Sequence, residues 1–167
     1  MEEITPIIWI MAKPLLNQIR SLLIEKAKTV AVAESCTGGL LSKLLTDLPG
    51  SSRYFIFGAV TYSNQAKIKI LRLQAGLIAK NGAVSAAVAG KMAQNARKLF
   101  KTDFGIAITG IAGPGGGSKD KPVGTVFIAV DSLRRRICKK FLFYGSRKNI
   151  RMQSALESLE LLKKCLA

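Results

Sequence analysis

The sequence predicts a single α/β domain: a mixed β-sheet with helices on both faces, three layers in all. Three observations carry this expectation. Short β-branched apolar runs alternate with segments of helical period over the first two thirds of the chain. Late in the chain two strand-like runs follow one another across a short polar turn, as in a hairpin. The 167 residues, 49% of them hydrophobic, suffice for one core and leave little room for a second. No Pro/Gly/Ser-rich linker or internal repeat divides the sequence, so residues 1–167 are read as one domain.

The stretch ITPIIWIMA is apolar, but Glu2 and Glu3 precede it and Lys13 ends it. A signal peptide needs a positive start and a small-residue cleavage site. Residues 1–14 are therefore expected to pack as part of the first helix region. Pro14 to Ala27 places Leu15, Leu16, Ile19, Leu22 and Leu23 at helical spacing. Thr29 to Ala33 reads as a strand. Thr37 to Leu48 reads as a one-faced helix, with Thr37 as its N-cap and two glycines in its first turn. Phe55 to Tyr62 reads as a strand and Asn64 to Leu71 as a short helix, capped by Ser63 or Asn64. Ser85 caps a helix that runs to Phe100. Phe104 to Thr109 reads as a buried strand, Gly110 to Pro122 as a Gly/Pro loop, Val123 to Val130 and Arg136 to Tyr144 as the hairpin, and Ile150 to Leu166 as the last helix.

The chain contains no histidine. That excludes Ser-His-Asp and Cys-His catalysis and removes the commonest general base and metal ligand. Chemistry must rest on Ser, Thr, Cys, Tyr, Lys, Arg and ten carboxylates. Three widely separated cysteines form no CxxC, so neither a disulfide framework nor a zinc site is expected, and a reducing cytoplasm is the default. No run approaches the roughly 18 apolar residues of a membrane span. The net charge of +16 suits a basic surface, an anionic small substrate or a nucleic-acid partner. Aromatics do not interleave with the basic clusters as on a stacking platform.

In such folds ligands gather beyond strand ends, where loops meet helix N-termini. Four loops qualify: Glu34–Gly39, Pro49–Ser52, Tyr62–Asn64 and Gly110–Lys121. The stretch GIAGPGGGS (110–118) is neither a Walker A nor a GxGxxG pattern; it is a plain flexible loop or one whose free N–H groups cradle a ligand. In PGSS (49–52) either serine can be a helix N-cap. Lys67, if desolvated beside a serine, can act as a base. Cys36 sits where a thiolate is favoured, but Glu34 beside it opposes ionisation, which makes a buried, inert thiol the simpler reading.

Taken together, AESCTGG (33–39), PGSS (49–52), VTYSNQAK (60–67), GAVS (82–85) and GIAGPGGGSKDKPVGTV (110–126) resemble, in order and spacing, the CinA C-terminal-domain family. Its enzymatic members are nicotinamide-nucleotide amidases. The resemblance covers about residues 15 to 165 and is closest to the stand-alone form. It implies a cytoplasmic enzyme that hydrolyses the carboxamide of nicotinamide mononucleotide to nicotinate mononucleotide and ammonia in NAD recycling. Neither metal nor cofactor is implied, and a homodimer is. Carried over by motif, Ser52 is the implied nucleophile, Lys67 and Tyr62 its activating partners, and Thr109 a further catalytic group. Ser35, Thr37, Gly38, Gly39 and Gly110 would line the ligand site, with Arg147, the loosest match, near the phosphate. Ala86 departs from the family, whose members often carry an acidic residue there. A rival placement of the nucleophile is Ser35 or Cys36. A rival function is an inactive basic module that binds nucleic acid or a protein.

Overall fold

The strands of this chain carry large side chains on one face and small ones on the other. Val30 and Val32 alternate with Ala31 and Ala33, Ile106 and Ile108 with Gly105 and Ala107, and Ile128 and Val130 with Ala129. In the computed structural model, which describes residues 6–166, this alternation sorts two helical layers of unequal spacing. The strands are β1 (Val30–Glu34), β2 (Phe55–Val60), β3 (Phe104–Gly110), β4 (Thr125–Ser132) and β5 (Arg136–Leu142). They form one sheet in the order β2-β1-β3-β4-β5. The first three are mutually parallel, and β4 and β5 continue the sheet antiparallel, giving the expected mixed sheet and hairpin.

On the large-residue face lie α1 (Pro6–Glu25), α2 (Leu40–Thr46) and α6 (Arg147–Leu166). Leu16, Ile19 and Leu23 of α1, Leu41 and Leu45 of α2, and Leu159 and Leu162 of α6 pack there with the valines and isoleucines of the strands. On the small-residue face lie α3 (Asn64–Leu71), α4 (Ala75–Asn81) and α5 (Ala86–Leu99). Val88, Met92 and Ala96 of α5 pack on Ala31, Ala33, Ala107 and Ala129. The alanines let α5 come close, and Gly105 lets it come closest: a Cβ there would lie 2.0 Å from the carbonyl oxygen of Ala93. Among the described residues no helix is long and apolar enough to cross a membrane.

Most sequence expectations hold to within a few residues. α1 begins at Pro6 and runs through Pro14, although proline lacks the N–H that closes a helical turn. Burial of Ala12, Leu16, Ile19 and Leu23 on one face offsets that lost bond. The first five residues of the predicted extension lie outside the described residues. α4 has no counterpart among the expected elements; only Ile78 of its seven residues is buried, too weak a stripe to read. The last helix starts three residues early, at Arg147. Neither serine of PGSS is a cap: Gly50, at φ +83°, precedes a single 3-10 turn, Ser51–Arg53.

Gly105→Ala forces α5 off the sheet. It is expected to destabilise the domain by about 2–3 kcal/mol, lowering Tm by roughly 5–10 °C in thermal denaturation followed by circular dichroism.

Candidate active site

Parallel pairing of β1, β2 and β3 brings three chain segments together past their C-terminal ends: Ser35–Gly39 after β1, Thr61–Ser63 after β2, and the glycine loop after β3. The first is a tight turn built around Glu34. This side chain is fully buried, and its carboxylate accepts four hydrogen bonds. Oε2 takes the amides of Gly39 and Leu41, both at 3.1 Å. Oε1 takes the amide of Ser42 at 2.8 Å and its hydroxyl at 2.6 Å. Glu34 thus closes the N-terminus of α2 from the end of the preceding strand, filling the role expected of Thr37. Two consecutive left-handed glycines, Gly38 (φ +60°) and Gly39 (φ +93°), make the reversal possible. α2 consequently starts at Leu40, and Gly39, not Thr37, is its cap residue. The Thr37 hydroxyl is buried with no hydrogen-bond partner. Glu34 occupies the first amides of α2, and the Ser35 and Gly38 N–H groups go to the Ile108 and Ser35 carbonyls, so the hydrogen bonds described at this turn leave out the N–H groups of Cys36, set against its own thiol, and Thr37.

Lys67, on α3, is 1% exposed, and its ammonium position lies against the same turn. Nζ is 3.1 Å from Ser35 Oγ, 2.8 Å from the Thr61 carbonyl and 3.2 Å from the Tyr62 carbonyl. Burial holds the proton affinity of this lysine below its ordinary value, with partial opposition from Cys36 nearby. A neutral amine has two N–H donors and one lone pair. The two carbonyls can take the donors, which leaves the lone pair for the Ser35 hydroxyl proton. The site therefore pairs a serine hydroxyl with an amine of lowered proton affinity, without histidine.

The structure does not bring Ser52 to Lys67. Ser52 is exposed on the 3-10 turn that enters β2, whereas Lys67 follows the strand's other end. Six residues of strand separate the two ends, about 20 Å at roughly 3.3 Å per residue. Tyr62 also departs from the expected geometry. Only its backbone carbonyl meets Lys67, while its hydroxyl accepts from Arg147 Nη2 at 3.1 Å. Arg147 Nη1 donates to the Gly113 carbonyl at 2.7 Å, so this one side chain joins the Tyr62 loop to the glycine loop at the mouth of the site. Thr109, 1% exposed, donates to the Ala83 carbonyl at 2.9 Å, and Lys121 donates to the Val84 carbonyl at 2.7 Å. Both hold the GAVS segment against the sheet. Gly110 ends β3, pressed against β4: a Cβ there would meet the Thr125 carbonyl oxygen at 2.8 Å.

Cys36 faces the apolar core, and burial pushes its thiol up to about 12, with the Glu34 charge adding to the rise. It is an inert neighbour of Ser35. Two residues that organise the site escaped the sequence reading. Glu34 was visible only as a charge beside Cys36, although an acid followed five residues later by the glycine that opens a helix is a readable capping signal. Arg151 lies one helical turn beyond Arg147, a spacing that places both on one face of α6.

Residues 12–166 match the CinA C-terminal domain. A CinA-like protein of Geobacter sulfurreducens is 49% identical over 142 residues, 85% of this chain and 34% of that protein. The chain spans about a third of the length of such curated relatives. Among solved structures, a CinA superfamily protein of Klebsiella pneumoniae superposes with a TM-score of 0.88 at 31% identity, covering 92% of this chain and 96% of that one. A competence/damage inducible protein of Agrobacterium tumefaciens superposes at 0.85 with 37% identity, covering 91% and 94%.

Two outcomes test this geometry. Glu34→Ala orphans amides that cannot all reach water, at about 1–3 kcal/mol for each buried donor. It is expected to cost about 3 kcal/mol or more in urea denaturation. Native alkylation with iodoacetamide at pH 8, read by mass spectrometry, is expected to leave Cys36 unmodified until the protein is unfolded.

Proposed function

The chain belongs to the CinA C-terminal domain family, and we propose that it is an amidohydrolase that converts nicotinamide mononucleotide to nicotinate mononucleotide and ammonia, with Ser35 as nucleophile and Lys67 as general base. The observation that carries this reading is the buried Lys67 amine, 3.1 Å from Ser35 Oγ and held by two backbone carbonyls. The substrate rests on the resemblance of the five linked motifs to nicotinamide-nucleotide amidases.

In this mechanism neutral Lys67 accepts the Ser35 proton as Oγ attacks the carboxamide carbon. The N–H groups of Cys36 and Thr37 stabilise the resulting oxyanion, an effect typically worth about 3 kcal/mol per donor. The tetrahedral intermediate collapses, the C–N bond breaks, and the Lys67 ammonium returns its proton to the leaving nitrogen. Water then attacks the acyl-enzyme with Lys67 again the base, releasing the carboxylate product and free Ser35. Arg147, at the mouth between Tyr62 and Gly113, supplies the cation for the substrate phosphate.

The test is ammonia release from nicotinamide mononucleotide. Ser35→Ala is expected to lower kcat by about 10³-fold or more, whereas Ser52→Ala stays within about twofold of the wild type. The reverse pattern would return the nucleophile to Ser52. The pH dependence follows from the direction of the Lys67 shift. The base is active when deprotonated, so kcat/KM rises with pH through a limb centred below the ordinary lysine value. Lys67→Arg, protonated throughout, is expected to abolish turnover at every pH. Salt-sensitive duplex binding by a protein that releases no ammonia would favour the basic-module reading instead.

A further inference from the structure

Besides the Glu34 carboxylate on Gly39 N–H and Lys67 on the Ser35 hydroxyl, the turn that carries Ser35 is fastened at three further points. Ser35 N–H donates to the Ile108 carbonyl of β3 at 3.0 Å. Gly38 N–H donates back to the Ser35 carbonyl at 3.1 Å. The third point is the Thr37 carbonyl, which accepts Arg151 Nε at 3.1 Å and Nη2 at 2.6 Å. This third fastening comes from the side chain of a distant element, α6. The guanidinium lies close over residue 38, where a Cβ would be 3.2 Å from Arg151 Nη2.

We infer that Arg151 is a positioning residue for attack by Ser35: its guanidinium fork holds the Thr37 carbonyl, and with it the nucleophile turn, against α6. This inference rests on Ser35 being the nucleophile. The fork fixes both the direction and the distance of one peptide plane. That plane joins Thr37 to Gly38, next to the amides assigned to the oxyanion. Both Arg151 hydrogen bonds go to a backbone oxygen, so its hold on the Ser35 turn passes through the backbone. Arg147, four residues earlier on the same helix, fastens the other two loops of the site, so the first turns of α6 reach all three.

The experiment compares Arg151→Met and Arg151→Lys with the wild type by three readouts. These are kcat and KM for ammonia release, the rate at which a small fluorophosphonate labels Ser35 by mass spectrometry, and Tm. Displacing a nucleophile by about 1 Å costs on the order of 10²-fold. Arg151→Met is expected to lower kcat and the labelling rate together by about that factor, with KM within about threefold of wild type. Arg151→Lys, which keeps one N–H donor for the carbonyl, is expected to recover part of both. A rise in KM at unchanged kcat would overturn the inference and make Arg151 a substrate contact. A fall in Tm with unchanged labelling of the folded protein would overturn it and make Arg151 a structural brace only. Wild-type Ser35 that is labelled, and is slowed by Arg151→Met, while no ammonia is released would support the positioning role and reject the substrate. Absence of labelling at Ser35 in the wild type would overturn both.

Discussion

The carboxylate of Glu34 is the constraint on which the rest of this site depends. A parallel strand must hand over to a helix within five residues, and the first amides of that helix are partly or fully buried. Left unpaired, each would cost about 1–3 kcal/mol. Glu34 accepts three of them and the Ser42 hydroxyl without leaving the strand axis. Its own backbone carbonyl takes the Thr61 amide at 2.7 Å, which joins the ends of β1 and β2. One residue therefore sets where Ser35 turns off the strand and where the segment carrying Lys67 begins. The cost is that the N-terminus of α2 is no longer an anion site. The helix start that invites a ligand in sequence is already occupied by the protein itself.

In a chain without histidine, a lysine can offer an uncharged nitrogen where burial disfavours its charge, and Lys67 is so placed. Burial alone would leave a mobile amine; the carbonyls of Thr61 and Tyr62 give it direction. Both come from the backbone just past β2, so the geometry is fixed by strand pairing and not by further side chains. The same surroundings treat the two neighbouring side chains differently. They raise Cys36 to about 12 and leave it a thiol, while the Ser35 hydroxyl lies 3.1 Å from the Lys67 nitrogen.

The small-residue face of the sheet matters to this arrangement. Alanines at 31, 33, 107 and 129 and glycine at 105 draw α5 close, and α3 packs beside α5. A bulkier face would lift this layer, and Lys67 with it, away from Ser35. On the other face α6 is held by Ile150, Ala155, Leu159 and Leu162 in the core, which fixes the origin of its two arginines. The two helical layers thus approach the Ser35 turn from opposite sides, one delivering the Lys67 amine and the other the Arg151 guanidinium.

The sequence by itself determined the fold class, the order of nearly all elements and the family. These depend on periodicity, turn residues and linked motifs, which are local and repeat over many positions. Its Lys67, Ser35, Thr109 and Arg147 all lie at one end of the sheet, as the placement of loops beyond strand ends required. What it could not determine was which serine meets the lysine. The motifs implied Ser52 of PGSS, with Ser35 of AESCTGG the rival, and PGSS precedes a strand whose other end AESCTGG adjoins. Only parallel pairing of β1 with β2 decides that Ser35 and Lys67 share an end while Ser52 lies a strand length away. The reach of Arg151 over 114 residues to Thr37 belongs to the same class. Both are contacts between distant segments, and no local pattern encodes a partner that only the closed fold brings near.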